Sequence, residues 1–266
     1  MIVVVIILLT LAYVCGWLRL RSRPAQALAA WRAASFLLGV FLAWGALDSP
    51  LVAYDHHLLT VHMIKHLLQM TVAPALILLG EPILSFSHGM PRLGRVVLHS
   101  WLRRPLARQF GRIFSRLAVC WTVSAFTLVA WHIPDVFTLA MQSDAWHAVE
   151  QSSFVAAGVL FWWPVIQPWP SVSNGPQWSI LLYLFLATLP CDVLAGFLMF
   201  SERVAYPVYL SMPRHFGFSV LDDQQCAAAL MWTSVTVIYL VPAAILSTQL
   251  LSPRDFELAS HSAPIA

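Results

Sequence analysis

The chain has 266 residues, 59% of them hydrophobic and only 10% charged, with a formal net charge of +3. Its mean hydropathy is +0.74. That excludes an ordinary soluble globule, which needs more polar surface, and the small net charge says less than the placement of the charges.

Seven apolar stretches approach the roughly 17–25 residues that a transmembrane helix needs: 2–18, 31–48, 58–80, 117–133, 146–167, 178–200 and 226–250. No β-barrel alternation is present, and spanning backbone must satisfy its own hydrogen bonds, so helix is expected in each. The predicted fold is all-α, a polytopic transmembrane bundle of about seven helices. It forms a single domain over residues 1–251, followed by a short tail at 252–266.

In the first stretch, MIVVVIILLTLAYVCGWLRLRSR, the arginines follow the apolar run, so it reads as a retained helix rather than a cleaved signal. Arg19, Arg21, Arg23 and Arg32 surround the first loop, and Arg92, Arg95, Arg103, Arg104, Arg108, Arg112 and Arg116 fill the third. In a seven-helix chain these loops share a side, which the positive-inside rule makes cytoplasmic. The N-terminus is then outside and the tail cytoplasmic. Asp48, Asp55, Asp135, Asp144, Glu202, Asp222 and Asp223 fall on the opposite side. The basic loop 91–116 reads first as a topology anchor, and more sharply as a surface for anionic membrane lipid. No nucleic-acid module is recognisable, and no nucleic-acid partner is expected. Cys15, Cys120, Cys191 and Cys226 form no C-x-x-C motif.

The third stretch carries HMIKHLLQM, in which His62 and His66 stand i and i+4 on one helix face and Met70 extends the stripe. Met63 lies one step round. His56 and His57 precede the helix. The fourth stretch ends at His132, and the fifth begins with His147, Glu150 and Gln151. The sixth carries Cys191, Asp192 and Met199; the seventh opens with Asp222, Asp223, Gln224 and Cys226, with Met231 deeper. These side chains all fall in the outer half. Polar groups within a membrane usually face a bundle interior and mark a functional site. Imidazole suits copper, iron and zinc, thioether and thiolate suit Cu(I), and carboxylates ligate or orient ligands. The expected metal ligands are therefore His62, His66, His132, His147, Met63 and Met70. Glu150, Asp223, Gln224, Asp192 and Lys65 are expected as orienting or charge partners, with Lys65 pairing to Asp55 or Asp192 or reaching toward water. Cys191, Met199 and Met231 are further soft candidates.

The plainer readings compete. His56, His57 and His215 taken singly read as interfacial hydrogen-bonding residues, and His88 and His99 fall on the inner side. A buried methionine is more often packing than ligand. Trp131, Trp146, Trp162, Trp163, Trp169 and Trp178 are expected in the interfacial belt. Pro134, Pro164, Pro190 and Pro242 are expected to kink or end helices.

The stretch VHMIKHLLQMTVAPALILLGEPI resembles the signature of the CtaG family of cytochrome c oxidase assembly factors, the multi-span type associated with caa-type oxidases. The match runs through His62, Met63, His66, Ala73, Pro74, Gly80 and Pro82. A second block resembles the family through Trp131, His132, Pro134, His147, Glu150, Ser153, Phe154, Gly158, Phe161, Trp162, Trp163 and Pro164. A third does so through Asp223, Gln224, Met231 and Trp232, and the blocks together cover 31–251. The chain has Gln151 where the family often has histidine. Either Glu150 or a residue from another helix then takes that place, or the site is built mainly from His62, His66 and His132. It also has Ala227–Ala229 where the family often has a glycine.

The resemblance implies a non-enzymatic assembly factor in the bacterial plasma membrane that serves cytochrome c oxidase subunits and handles copper on the outer, periplasmic side. Two other classes compete: a haem-binding redox protein with His66 and His132 as axial ligands, and a copper or proton transporter. The transporter would need polar groups continuing to the inner face. A retinal protein is excluded by the absence of lysine from the seventh stretch. No hydrolase triad, P-loop or dinucleotide fingerprint is present.

Overall fold

The computed structural model describes residues 2–22, 28–48, 53–90, 116–166, 178–213 and 219–251, with isolated positions between them. The tail 252–266, His99, Trp169, His215 and most of the arginine-rich loop lie outside the described residues. The helices are α1 (Ile2–Arg21), α2 (Ala30–Asp48), α3 (Leu59–Leu79), α4 (Pro82–Gly89), α5 (Leu117–Trp131), α6 (Pro134–Gln142), α7 (Asp144–Ile166), α8 (Trp178–Phe200) and α9 (Val220–Leu250). No strand occurs among the described residues. By length and composition α1, α2, α3, α7, α8 and α9 can each cross a membrane. The pair α5 and α6, bent by 74° at its break, makes up to seven spans.

The spans alternate in direction. Residues 53–58, the α5–α6–α7 corner and the segment 201–213 therefore gather at one end, the histidine end. The Tyr209 hydroxyl donates to Asp55 O at 3.0 Å and the Tyr206 hydroxyl to His132 O at 3.1 Å, which ties these three segments together. The end of α1, the start of α2 and all of α4 meet at the other end.

Helix α3 is the inner post: 56% of its span window is buried, against 17% for α1. Its sequence explains this. His62, Lys65, His66 and Gln69 cannot face hydrocarbon without a large penalty, so the helix turns them inward, and all four are buried. Midway, Leu68–Val72 forms a π-helical turn before the helix resumes at Ala73–Leu79. Pro74 accounts for it: proline has no N–H for the carbonyl of Met70, and the widened turn makes room for its ring. Gly158 of α7 sits against that turn, and a Cβ there would meet Met70 O at 2.5 Å.

Three expectations need amendment. Of the prolines expected to kink or end helices, Pro164, Pro190 and Pro242 end none: they lie inside α7, α8 and α9, which run on past them. Pro134 does start an element, as the first residue of α6, where its missing N–H costs nothing. Trp162 is not a belt residue: it is 3% exposed and packs edge-on against Phe161 and Tyr239 in the core. Finally, α9 begins six residues earlier than its apolar run. Ser219 and Asp222 cap it reciprocally, with the Asp222 N–H donating to Ser219 Oγ at 3.0 Å and the Ser219 N–H donating to Asp222 Oδ2 at 3.1 Å. The alanines replacing the family's glycine are fully buried at Ala227 and Ala228, so α9 packs closely there without it.

Candidate metal centre

At the histidine end α3 and α7 face each other, and the short segment before α3 closes over them. The i,i+4 spacing stacks His62 above His66, with Nε2 atoms 2.7 Å apart. Glu150 of α7 reaches both: its Oε1 is 3.3 Å from His66 Nε2 and 3.6 Å from His62 Nε2. Two ligands about 2.0–2.1 Å from one tetrahedral ion stand about 3.3–3.4 Å apart, so the three observed edges bracket a metal-binding triangle. The set is enclosed, with His62 and Glu150 each 1% exposed. Of the alternatives left open by Gln151, Glu150 is the one whose carboxylate lies beside both His62 and His66.

A second carboxylate completes a ring. Asp55, fully buried, holds Lys65 through Oδ2 and lies 3.7 Å from His62 Nδ1 through Oδ1. His147 bridges the two acids, with Nε2 3.4 Å from Asp55 Oδ2 and Nδ1 3.3 Å from Glu150 Oε2. Asp55, His62, Glu150 and His147 alternate around this ring, with Lys65 on one acid and His66 on the other. Among the described residues His62 Nδ1, His66 Nδ1, His147 Nδ1, Asp55 Oδ1 and Glu150 Oε2 complete no hydrogen bond. Buried polar atoms are usually paired, and the donors of His62, His66 and Glu150 lie close enough to one another for a single ion to satisfy them together. His56 borders the ring at 3.8 Å from Asp55 Oδ1. Burial, and next the neighbouring His147, lower its pKa, which keeps the imidazole neutral and able to ligate.

Below the triad the chemistry softens. His132 donates Nδ1–H to Leu128 O at 2.6 Å, so its Nε2 carries the lone pair, and Met63 Sδ lies 3.4 Å from that atom. A ligating histidine is commonly oriented through its second nitrogen in this way. Met63, Met70, Cys191 and Met231 line an apolar cavity of about 50 Å³ together with His66 and His132. Met199 packs at the core margin outside it. His66 therefore touches both halves, oxygen- and nitrogen-rich above, sulfur-rich below. Phe154 stacks on its ring at a centroid distance of 4.1 Å. Phe137 covers His62 and is covered in turn by Tyr206, at 4.9 and 4.2 Å.

The remaining expected residues work at a distance. Asp223 accepts from the backbone N–H groups of Leu59 and Thr60 at 2.7 and 3.1 Å, so it caps α3 and fixes the helix that carries the histidines. Gln224 ties α8 to the segment after it, donating to Leu198 O and accepting from Ala205 N–H. Lys65 takes Asp55 as its partner, and Asp192 is a half-buried residue of α8 whose Oδ1 has no hydrogen-bond partner among the described residues. The sequence offers Asp55 as a partner for Lys65, which it is, but not as a neighbour of His62 and His147, and it offers His56 only as interfacial. The signal was YDHH directly before the helix with the histidine pair.

The sequence profile of the cytochrome c oxidase caa3 assembly factors matches residues 11–252. Two uncharacterised proteins, from Mycobacterium bovis and Mycobacterium tuberculosis, are each 23% identical over 250 residues, covering 90% of this chain and 37% of theirs. The chain spans little more than a third of the length of these curated relatives. No solved structure matches it. With the profile running from the middle of α1 to the end of α9, this chain belongs to the cytochrome c oxidase caa3 assembly factor family.

Proposed function

We propose that this membrane-embedded assembly factor binds copper transiently in the bacterial plasma membrane and makes it available, on the outer, periplasmic side, for the oxidase copper centre. The observation that carries the reading is the meeting of two donor sets at His66. His62, His66 and Glu150 suit a borderline divalent ion, whereas His132, Met63 and the sulfurs of Met70, Cys191 and Met231 suit Cu(I). Copper is the biological metal at home in both. The ion is cargo here: His62, His66 and Glu150 take it up, and His66 is placed to share it with the sulfur-lined space beneath. Oxidase subunits are the receiving partner, and membrane lipid surrounds the bundle.

The local sequence favours a carrier over a hydrolase. In H-E-x-x-H metalloproteases the residue after the first histidine is the general base. Here it is Met63, turned toward His132. A haem is disfavoured by space, because the cavity of about 50 Å³ is far below the roughly 300–1,000 Å³ of a cofactor pocket. A through-membrane route is disfavoured by α3 itself, which carries its last polar side chain at Thr71 and continues as Val72, Ala73, Pro74, Ala75 and Leu76.

The purified chain loaded with copper and freed of excess and weakly held ion should retain about one copper per chain by elemental analysis, held by His62, His66 and Glu150. His66→Ala should lose it, since His66 belongs to both donor sets, and His62→Ala should weaken it. Unchanged copper content in both variants overturns the assignment.

A further inference from the structure

We propose a second cation position at the mouth, formed by Asp55, His56 and His147, at which Lys65 acts as a built-in place-holder for a divalent ion on its way to the triad. It rests on reading the triad as a metal site. The donor atoms of Asp55, His56 and His147 lie within 4.8 Å of one another, as do those of the triad. One carboxylate and two imidazoles form a ligand set of the kind that holds zinc or copper with a position left open.

Three observations give the position a direction. Exposure falls stepwise along the imidazoles, from 41% at the His56 side chain through 13% at His147 to 1% at His62. The same bridging rings serve both acids: His147 faces Asp55 with Nε2 and Glu150 with Nδ1, and His62 faces Asp55 with Nδ1 and Glu150 with Nε2. The outer carboxylate is therefore one ring away from the triad by two routes, through His62, itself a triad member, and through His147, which touches the triad's Glu150. The third is Lys65. Its ammonium pairs with Asp55 Oδ2 and lies 3.4 Å from His147 Nε2, in the place an ion would take between these two donors. A buried carboxylate needs a positive partner, and the lysine supplies it until a divalent ion displaces it. The long lysine stem lets the ammonium swing toward the nearby mouth.

The test is equilibrium binding of Zn²⁺, a redox-silent probe, to the full chain in detergent, with stoichiometry by elemental analysis and affinity by chelator competition. Wild type should bind two ions of unequal affinity. His56→Ala, a change at the exposed rim, should weaken only the weaker ion by about 10–100-fold or more, the range that disturbing a metal site usually costs. Glu150→Gln should weaken the tighter one. Lys65→Met should strengthen the weaker ion, because the competing ammonium is gone, and added Zn²⁺ should raise the variant's unfolding temperature more than that of wild type. Two ions bound equally well in His56→Ala and wild type, or weaker binding at the outer position in Lys65→Met, overturns the proposal. One ion in wild type, lost in Glu150→Gln and indifferent to His56→Ala, removes the outer position and leaves the triad standing. No Zn²⁺ bound in wild type removes both.

Discussion

Where α1 ends and α2 begins, Arg32 Nη1 meets Glu81 Oε1 at 2.8 Å, Tyr13 donates to Gly80 O at 2.7 Å, and Arg19 donates to His88 O and Gly89 O. Tyr13 stacks on Phe36 at 3.7 Å between centroids, with Phe86 edge-on to both. Each charged group there has its partner. At the histidine end two acids, four imidazoles and one ammonium converge as closely, yet five of their buried atoms complete no hydrogen bond among the described residues. Two neutral groups at the other end, Trp17 Nε1 and Ser85 Oγ, complete none either, and each unpaired polar group costs about 1–3 kcal/mol. The difference lies in the ionisable groups, paired singly at one end and crowded around one another at the other, and the proposed function rests on that crowding.

The sharpest way to break this contrast is to remove one charge from each end. Asp55→Asn strands the Lys65 ammonium, which is 3% exposed, in the bundle interior. The loss of one partner of a buried pair should destabilise the chain by about 3–5 kcal/mol, read as the unfolding midpoint in mixed detergent. Asp55→Asn combined with Lys65→Met removes both charges and should recover most of that loss. A single variant as stable as wild type would show that Lys65 reaches water and that the ring is not enclosed.

A smaller effect is expected from the contact that sets the depth of the site. Gly158→Ala places a Cβ against Met70 O and the ring of Pro74, at 2.5 and 2.8 Å, so α3 and α7 must part. Overpacking of this kind costs about 1–3 kcal/mol. Because Met70 lies in the turn that is pushed away and His66 one helical turn before it, copper retention should fall with stability. The comparable change at the other end is Gly16→Ala, whose Cβ would meet Ser85 O at 1.8 Å. It should also destabilise the chain while leaving copper retention unaltered, since α1 and α4 contribute nothing to the ring.

Much of this was readable in the sequence, for reasons that differ by element. The spans were legible because hydrocarbon imposes a length and a composition on them. His62 with His66 was legible because a helix fixes which spacing shares a face, and His147 with Glu150 followed from their place at the opening of the next inward-facing helix. Asp55 was legible only as a possible partner of Lys65, and its approach to His62 and His147, like the place of His56, was not, since the short turn segment at 53–58 has no periodicity to aim its side chains. Nor was the bend into α6: Trp131, His132 and Pro134 announce a break but not its angle, and the angle is what carries Phe137 over His62. The division between His132 with Met63 and the triad was also hidden, because it depends on how far α5 stands from α7 rather than on any residue type.

The smallest expected effect lies at the opposite end and tests the reasoning rather than the site. Glu81→Gln removes the partner of Arg32, but the two side chains are 17% and 31% exposed, so water replaces the lost contact. Partly exposed pairs contribute about 0–1 kcal/mol, and the change should fall in that range with copper retention intact. Glu81 also sits at φ 51°, a left-handed conformation that glycine adopts freely. Glu81→Gly therefore trades the ion pair for relief of backbone strain, and should leave the chain at least as stable as Glu81→Gln. A large loss in Glu81→Gln, comparable with Asp55→Asn, would mean that pairing status does not separate the two ends and that the unpaired atoms of the histidine ring carry no message about function.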